Sequence, residues 1–256
     1  MTAVTGLLDA GRVWYRNYAS WRDYAMASLV GTIAEPLLTF VAIGYGLGRF
    51  VEPIDGQPYI AFLAPGILAA TAMNAAAFET TFGSFTRMTE QRTYEAIVMT
   101  PISVAEVVAG DILWAASKSA LGGAVVLAIM VPLDLVEGPI AVLAIPLALG
   151  IGIMFGAMGM VWTALSPSYT FFNYFFTMVI SVMYLFGGVF FPLEGLPAWA
   201  RWGAWCLPLT HAVEIVRGLT GGRLDWAMAR DLAWLVAFTV PVFWLAVALV
   251  RRRLIK

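Results

Sequence analysis

Charged residues along this 256-residue chain gather in clusters, and the stretches between them are long and apolar. Each charge costs several kcal/mol at the centre of a bilayer on insertion scales, so the charge-free stretches mark candidate membrane spans. Between Asp23 and Arg49 the only Asp, Glu, Lys, Arg or His is Glu35, and residues 26–47 predict a first span. None occurs between Asp55 and Glu79, which predicts a second span near 59–82. Only Asp111 and Lys118 interrupt a third span over 107–131. From Gly138 to Leu193 none occurs across 56 residues, too many for one crossing of about 20 and suited to two. Ser166-Pro167-Ser168 supplies the break, giving spans at 139–164 and 170–191. The 19 residues between Asp231 and Arg251 make the sixth.

Composition agrees with that pattern. The chain is 61% hydrophobic and 12% charged, with a mean hydropathy of +0.83, whereas a soluble domain carries about a quarter charged residues. The expected fold class is therefore an all-α integral membrane protein in one transmembrane domain, 1–256. Net charge is −1, which gives no basis for binding nucleic acid. The single cysteine, Cys206, excludes an intrachain disulfide. Lys and Arg near the span ends set orientation. With the N-terminus inside, Arg12, Arg16, Arg22, Arg87, Arg92, Arg251, Arg252, Arg253 and Lys256 fall in cytoplasmic segments. Arg49, Arg201, Arg217, Arg223 and Arg230 fall outside. Nine against five favours both termini in the cytoplasm.

Three segments are not spans. Residues 7–25 place Leu7, Trp14, Tyr18, Trp21 and Ala25 on one helical stripe with Arg12, Arg16 and Asp23 opposite. That pattern predicts a helix lying in the membrane interface, or alternatively one packed on the bundle. Residues 84–106 form the main cytoplasmic loop, in which Tyr94, Ile97, Val98 and Met99 precede Thr100-Pro101. A short helix with an apolar side there suits docking to a partner, the alternative being a solvated connector. Residues 192–231 contain Trp199, Trp202 and Trp205 among prolines and predict helices that dip in from the outer side.

Four charges sit within the predicted spans: Glu35, Glu79, Asp111 and Lys118. Such groups face the bundle interior and pair, so Lys118, placed near the bilayer centre, is expected to face Glu35 or Glu79. A structural ion pair and a role in transport both remain open for them. The fifth span crowds Phe172, Phe175, Phe176 and Tyr184 around Asn173. These aromatics suit a path for an apolar or sugar-bearing substrate, or simple packing. Gly152 and Gly156 permit close helix approach. The two lysines, Lys118 and Lys256, do not follow a glycine, so the phosphate-binding P-loop is absent and ATP, if used, binds another chain. With one histidine, His211, the sequence offers no cluster suited to an intramembrane enzyme, and too few deep carboxylates for a proton-coupled carrier.

Residues 186–219 carry Phe191-Pro192, Leu196-Pro197, Pro208-Leu209-Thr210-His211 and Arg217 in an order that resembles the signature of type-2 ABC exporter permeases. Arg92-Thr93-Tyr94-Glu95, followed by Thr100-Pro101-Ile102-Ser103 and Glu106, resembles the coupling segment of that family, with tyrosine at 94 where glycine is common. Within the family the chain is most similar to the nodulation protein J branch. The resemblance implies a dimer of such permeases joined to two P-loop ATPase subunits that bind ATP and Mg, with no cofactor on this chain. It implies that residues 88–101, including Arg92, Thr93, Tyr94, Glu95, Met99 and Pro101, couple to the ATPase. It also implies that residues 195–217 form re-entrant outer helices capping the exit, with Pro192, Pro197, Pro208, His211 and Arg217 as their motif. The expected activity is export of an amphipathic molecule (a lipo-oligosaccharide, glycolipid or drug) across the bacterial cytoplasmic membrane.

Overall fold

The computed structural model describes residues 3–54 and 56–255, with the side chains of residues 3–5 and 7 outside the description. The Leu7 side chain of the predicted stripe, the boundary charge Asp55 and the last counted cation, Lys256, therefore lie outside the described residues. Six helices are long and apolar enough to cross a membrane: Ala25–Phe50, Tyr59–Glu90, Val104–Leu133, Pro139–Leu165, Tyr169–Phe186 and Trp226–Leu254. They are the first to sixth spans below. No strand occurs among the described residues, apart from an isolated bridge between Ile54 and Gln57.

The second, third and fourth spans form the centre, the sixth packs on the fourth, and the first and fifth lie at the periphery. Burial reflects this: 67% of the apolar window of the second span is buried, against 11% for the first. Lipid is as apolar as leucine, so helices in a bilayer associate through close packing of small residues. Gly152 meets the third span so closely that an added Cβ would lie 2.6 Å from Ala116 Cα. Gly110 likewise leaves room for Ala10 and Val13 of the N-terminal helix Ala3–Arg22.

Ser103 starts the third span through a reciprocal cap. Its backbone N–H donates to Glu106 Oε2 at 2.6 Å, and its hydroxyl accepts from the Glu106 N–H at 3.4 Å. At the other end of the chain, Arg253 donates to the carbonyls of Thr163 at 2.6 Å and Ser166 at 2.7 Å. These are the orphan acceptors at the C-terminal end of the fourth span. Arg253 and Gly6, which lies beside Glu106, are thus at the end of the bundle that also holds the loop between the second and third spans, called here the loop end.

Several expected boundaries shift. The second span continues to Glu90, so the loop is shorter than 84–106. The fifth ends at Phe186 rather than 191, because Gly187 and Gly188, the latter at φ 77, terminate the helix. The N-terminal helix leans along the third span, from Gly6 beside Glu106 to Trp14 Nε1, which donates to Ser117 Oγ at 2.9 Å. Its Trp14, Tyr18 and Trp21 rings pack around Trp114, so the aromatic stripe is used largely against the protein. Leu8 and Tyr15 are exposed, and so is the outer part of Tyr18.

Helical regularity is unevenly distributed. Wider, π-type turns interrupt the first span at Phe40–Gly46, the second at Glu79–Gly83 and Thr86–Glu90, and the fifth at Phe176–Ile180. No such turn occurs in the third, fourth and sixth spans. Local widenings of this kind concentrate at functional positions.

Candidate functional site

At about 1.5 Å per residue, the charge-free run Tyr59–Phe78 already covers about 30 Å, the thickness of the hydrocarbon core. Glu79 is the next residue, so ionic groups begin where that thickness ends. Glu79 is buried and accepts from Lys118 Nζ at 2.9 Å and from Arg87 Nη1 at 2.9 Å. Lys118 therefore pairs with Glu79 and not with Glu35. Arg87 also donates through Nε to Asp111 Oδ2 at 3.2 Å.

Asp111 is fully buried and is the hub of this layer. Its Oδ1 accepts from Asn17 Nδ2 at 2.6 Å, with Arg16 Nη2 at 3.7 Å. Its Oδ2 accepts from Ser84 Oγ at 2.9 Å and from the Tyr94 hydroxyl. A buried carboxylate is tolerated only when its acceptor sites are filled, and here donors from the N-terminal helix, the second span and the loop fill them.

The loop folds as a short helix, Thr93–Val98. Arg92 precedes it in the left-handed region at φ 49, and that residue turns the chain out of the second span. Tyr94 is therefore helical and needs none of the freedom a glycine would bring. The helix has two faces. Arg92, Glu95, Met99 and Pro101 are exposed, Met99 by 89%, and Thr93 is half-buried. Tyr94 points the opposite way and is completely buried. It therefore cannot contact a docking partner as the resemblance implied; it anchors the helix to Asp111. Burial, followed by the Asp111 charge, pushes its hydroxyl well above the usual tyrosine range, so it stays a donor.

A second polar feature lies between the first, second and fifth spans. Glu35, Thr39, Thr71, Asn74 and Tyr184 line a narrow cleft there. Glu35 is exposed at the periphery and has no ion-pair partner among the described residues. Of the fifth-span residues, Asn173 is exposed and Phe176 and Tyr184 are half-buried. Phe172 and Phe175 are fully buried against Phe82, Phe85 and Trp162 and pack the bundle, so they do not line a path. Aromatic composition does not reveal which ring faces inward.

At the opposite end, helix Pro208–Thr220 packs on the second and sixth spans, and the short helix Ala198–Trp205 leads into it. Pro197 precedes the first helix, Pro208 occupies the first position of the second, and Pro192 begins the turn that leads to them. His211 lies between the Trp205 carbonyl, 2.9 Å from Nε2, and Asp231, 3.0 Å from Nδ1, and stacks on Trp234. Arg217 stacks over Phe62 at 4.2 Å and donates to the Gly188 carbonyl at 2.9 Å. These motif residues are thus staples joining the short helices to the spans. A cavity of about 670 Å³ lies beside them, lined by Phe62, Glu137, Glu194, Arg217 and Arg223 among others. Among the described residues, no three His, Cys, Asp or Glu side chains converge as metal ligands would.

Six apolar helices, a short loop helix tied to a buried charge layer and a helical cap at the far end are the build of a multi-pass membrane protein. The chain belongs to the ABC-2 type transporter family, whose model matches residues 11–220. It is 38% identical to nodulation protein J of Rhizobium leguminosarum bv. trifolii, over 98% of this chain and 96% of that protein. It is 37% identical to nodulation protein J of Rhizobium meliloti (strain 1021), over 94% and 92%. To the inner membrane transport permease YadH of Escherichia coli (strain K12) it is 22% identical, over 90% and 87%. No solved structure matches.

Sequence reasoning identified Asp111, Glu79 and Lys118 but missed Asn17, Ser84 and Arg87 as their partners. Arg87 counted only toward orientation. Its place eight residues beyond Glu79 on the same helix was the available signal.

Proposed function

We propose that this permease is the membrane half of an ATP-driven exporter, with a P-loop ATPase seated on the loop helix and a second permease copy completing the pathway. ATP and Mg belong to the ATPase subunit. The carrying observation is the two-faced loop helix: Glu95 and Met99 project away from the bundle while Tyr94 is tied into its buried charge layer. An apolar, charged-rimmed projection of this kind is a ready docking element, and its tether passes motion inward. Glu35 supports the paired arrangement. A carboxylate facing lipid from an apolar span is costly, so a second copy or the translocated molecule is the natural neighbour of that face.

In this reading both termini are cytoplasmic in the bacterial inner membrane, and the short helices cap the outer end. The substrate is amphipathic, a lipo-oligosaccharide, glycolipid or drug. Its polar part meets Glu35, Asn74 and Tyr184, and its apolar part slides along Phe176 and the exposed face of the fifth span. Membrane lipid surrounds the pair. The test is co-purification of the ATPase with the full-length permease from native membranes. Glu95→Arg, or deletion of residues 90–101, should abolish it. Unchanged association after that deletion overturns the assignment of the loop, and an ATPase panel with glycolipids and drugs identifies the substrate.

A further inference from the structure

The hydrogen bonds of Asp111 divide between its two oxygens in a way that simple anchoring does not require. Oδ2 takes the Tyr94 hydroxyl from the loop helix, together with Ser84 and Arg87 from the second span. Oδ1 takes Asn17, at 2.6 Å, from the N-terminal helix, with Arg16 beside it. A carboxylate is rigid and planar, so displacement of one oxygen displaces the other. Tyr94 pulling on Oδ2 must therefore move the partner of Oδ1. Asn17 belongs to a helix that ends at Arg22 and passes through a turn at Asp23 and Tyr24 directly into the first span. The first span is the least buried, carries Glu35 and contains a widened stretch that can absorb a shift. A buried ionic cluster is also a poor way to gain stability compared with apolar packing, which makes a positional role the better account of its presence.

We propose that Asp111 is a positioning residue that relays displacement of the loop helix, through Tyr94 on one oxygen and Asn17 on the other, to the N-terminal helix and so to the first span. The proposal rests on the reading of the loop helix as the ATPase contact. In it, ATP-driven movement reaches the polar cleft along two routes. One is direct, through the second span and the Arg87–Glu79–Lys118 chain. The other runs by way of Asp111 and the N-terminal helix.

The experiment uses the full permease–ATPase complex in lipid nanodiscs. Cys206→Ser removes the single cysteine, which is exposed, and Val30→Cys on the outward face of the first span carries an environment-sensitive fluorophore. ATP hydrolysis and the change in emission on adding ATP and vanadate are read together. Asp111→Asn should reduce the emission change about tenfold and Tyr94→Phe about fivefold, while the ATPase stays bound and turning over. Tyr94→Phe decides the case if Asp111→Asn does not assemble. Ser117→Ala removes a different bond between the N-terminal helix and the third span, and should leave the emission change intact. A full-sized change in Tyr94→Phe and Asp111→Asn overturns the relay and leaves the coupling assignment standing. An equal loss in Ser117→Ala also overturns it, since general loosening of the N-terminal helix would then explain the result. A wild-type complex whose emission ignores ATP overturns the coupling assignment itself.

Discussion

The third, fourth and sixth spans differ from the first, second and fifth in how their backbones are built. The former run as regular helices, joined where Gly152 lets the fourth lie on Ala116 and where Arg253 caps the end of the fourth from the sixth. The latter each contain a widened turn, and all three meet at the cleft that holds Glu35, Asn74 and Tyr184. The second span belongs to both groups, being packed at its centre and irregular only toward the loop end, where Glu79 and Arg87 sit. The difference separates a frame from the parts that can move over it. Shape changes are stored where helical hydrogen bonding is already interrupted, and close-packed glycine contacts resist them.

The largest expected effect falls where frame and moving part are joined. Glu79→Ala leaves Lys118 and Arg87 without their shared carboxylate, and breaking a buried pair costs about 3–5 kcal/mol. Thermal unfolding in detergent should show a large loss, and Lys118→Met in the same chain should return part of it. A stability unchanged in Glu79→Ala would mean the layer is wet and structurally idle. Within the frame, Gly152→Leu forces a side chain into the Ala116 backbone and should cost about 3 kcal/mol. The same substitution at Gly150, where nothing lies within 4 Å, should be nearly silent. If both behave alike, the frame is not close-packed at the contact between the third and fourth spans.

Much of this division could be read from the sequence, and the unread part has a physical cause. Charges are so costly in lipid that their spacing alone located six spans, and Thr100-Pro101 marked the end of the loop helix. Depth along a span was readable as well, which reduced the partner of Lys118 to Glu35 or Glu79. Rotation about each helix axis was not. Asn17, Ser84 and Arg87 meet Asp111 only because particular faces of three elements turn toward it. The second and third spans are apolar on every side and leave no stripe to reveal those faces, and the stripe of the N-terminal helix did not name its partner. The same gap left packing and a path both open for Phe172 and Phe175, and grouped Tyr94 with the exposed coupling residues, when all three face inward. Widened turns carried no sequence mark that was used; Pro36, four residues before the first of them, was the nearest hint.

On the moving side, stability should barely register changes that alter function. Glu35→Gln keeps the size and hydrogen-bonding reach of an exposed side chain, so unfolding should shift by no more than about 0.5 kcal/mol. ATPase stimulation by the transported molecule should nevertheless fall, because the one charge of the cleft is gone. Stimulation equal to wild type would remove Glu35 from the pathway and return it to a role between copies or at the lipid boundary.

The smallest structural effect is expected at Met99. It is 89% exposed at the end of the loop helix and touches neither the frame nor the charge layer. Met99→Ser removes only surface that the isolated chain leaves open, so thermal unfolding of the permease alone should be unchanged within about 0.5 kcal/mol. Methionine is adaptable and apolar, and an exposed one beside Glu95 on the same helix suits a partner's surface. If the ATPase covers it, truncation should weaken the complex by roughly tenfold, the scale of a contributing interface residue. Tyr94→Phe, which faces away from the same partner, should leave that affinity intact. The pair of measurements thus separates the docking face of the helix from its tether. Equal losses of affinity in both variants would mean that the tether shapes the docking face, and the moving side of the molecule would then begin at Asp111 and not at the exposed loop.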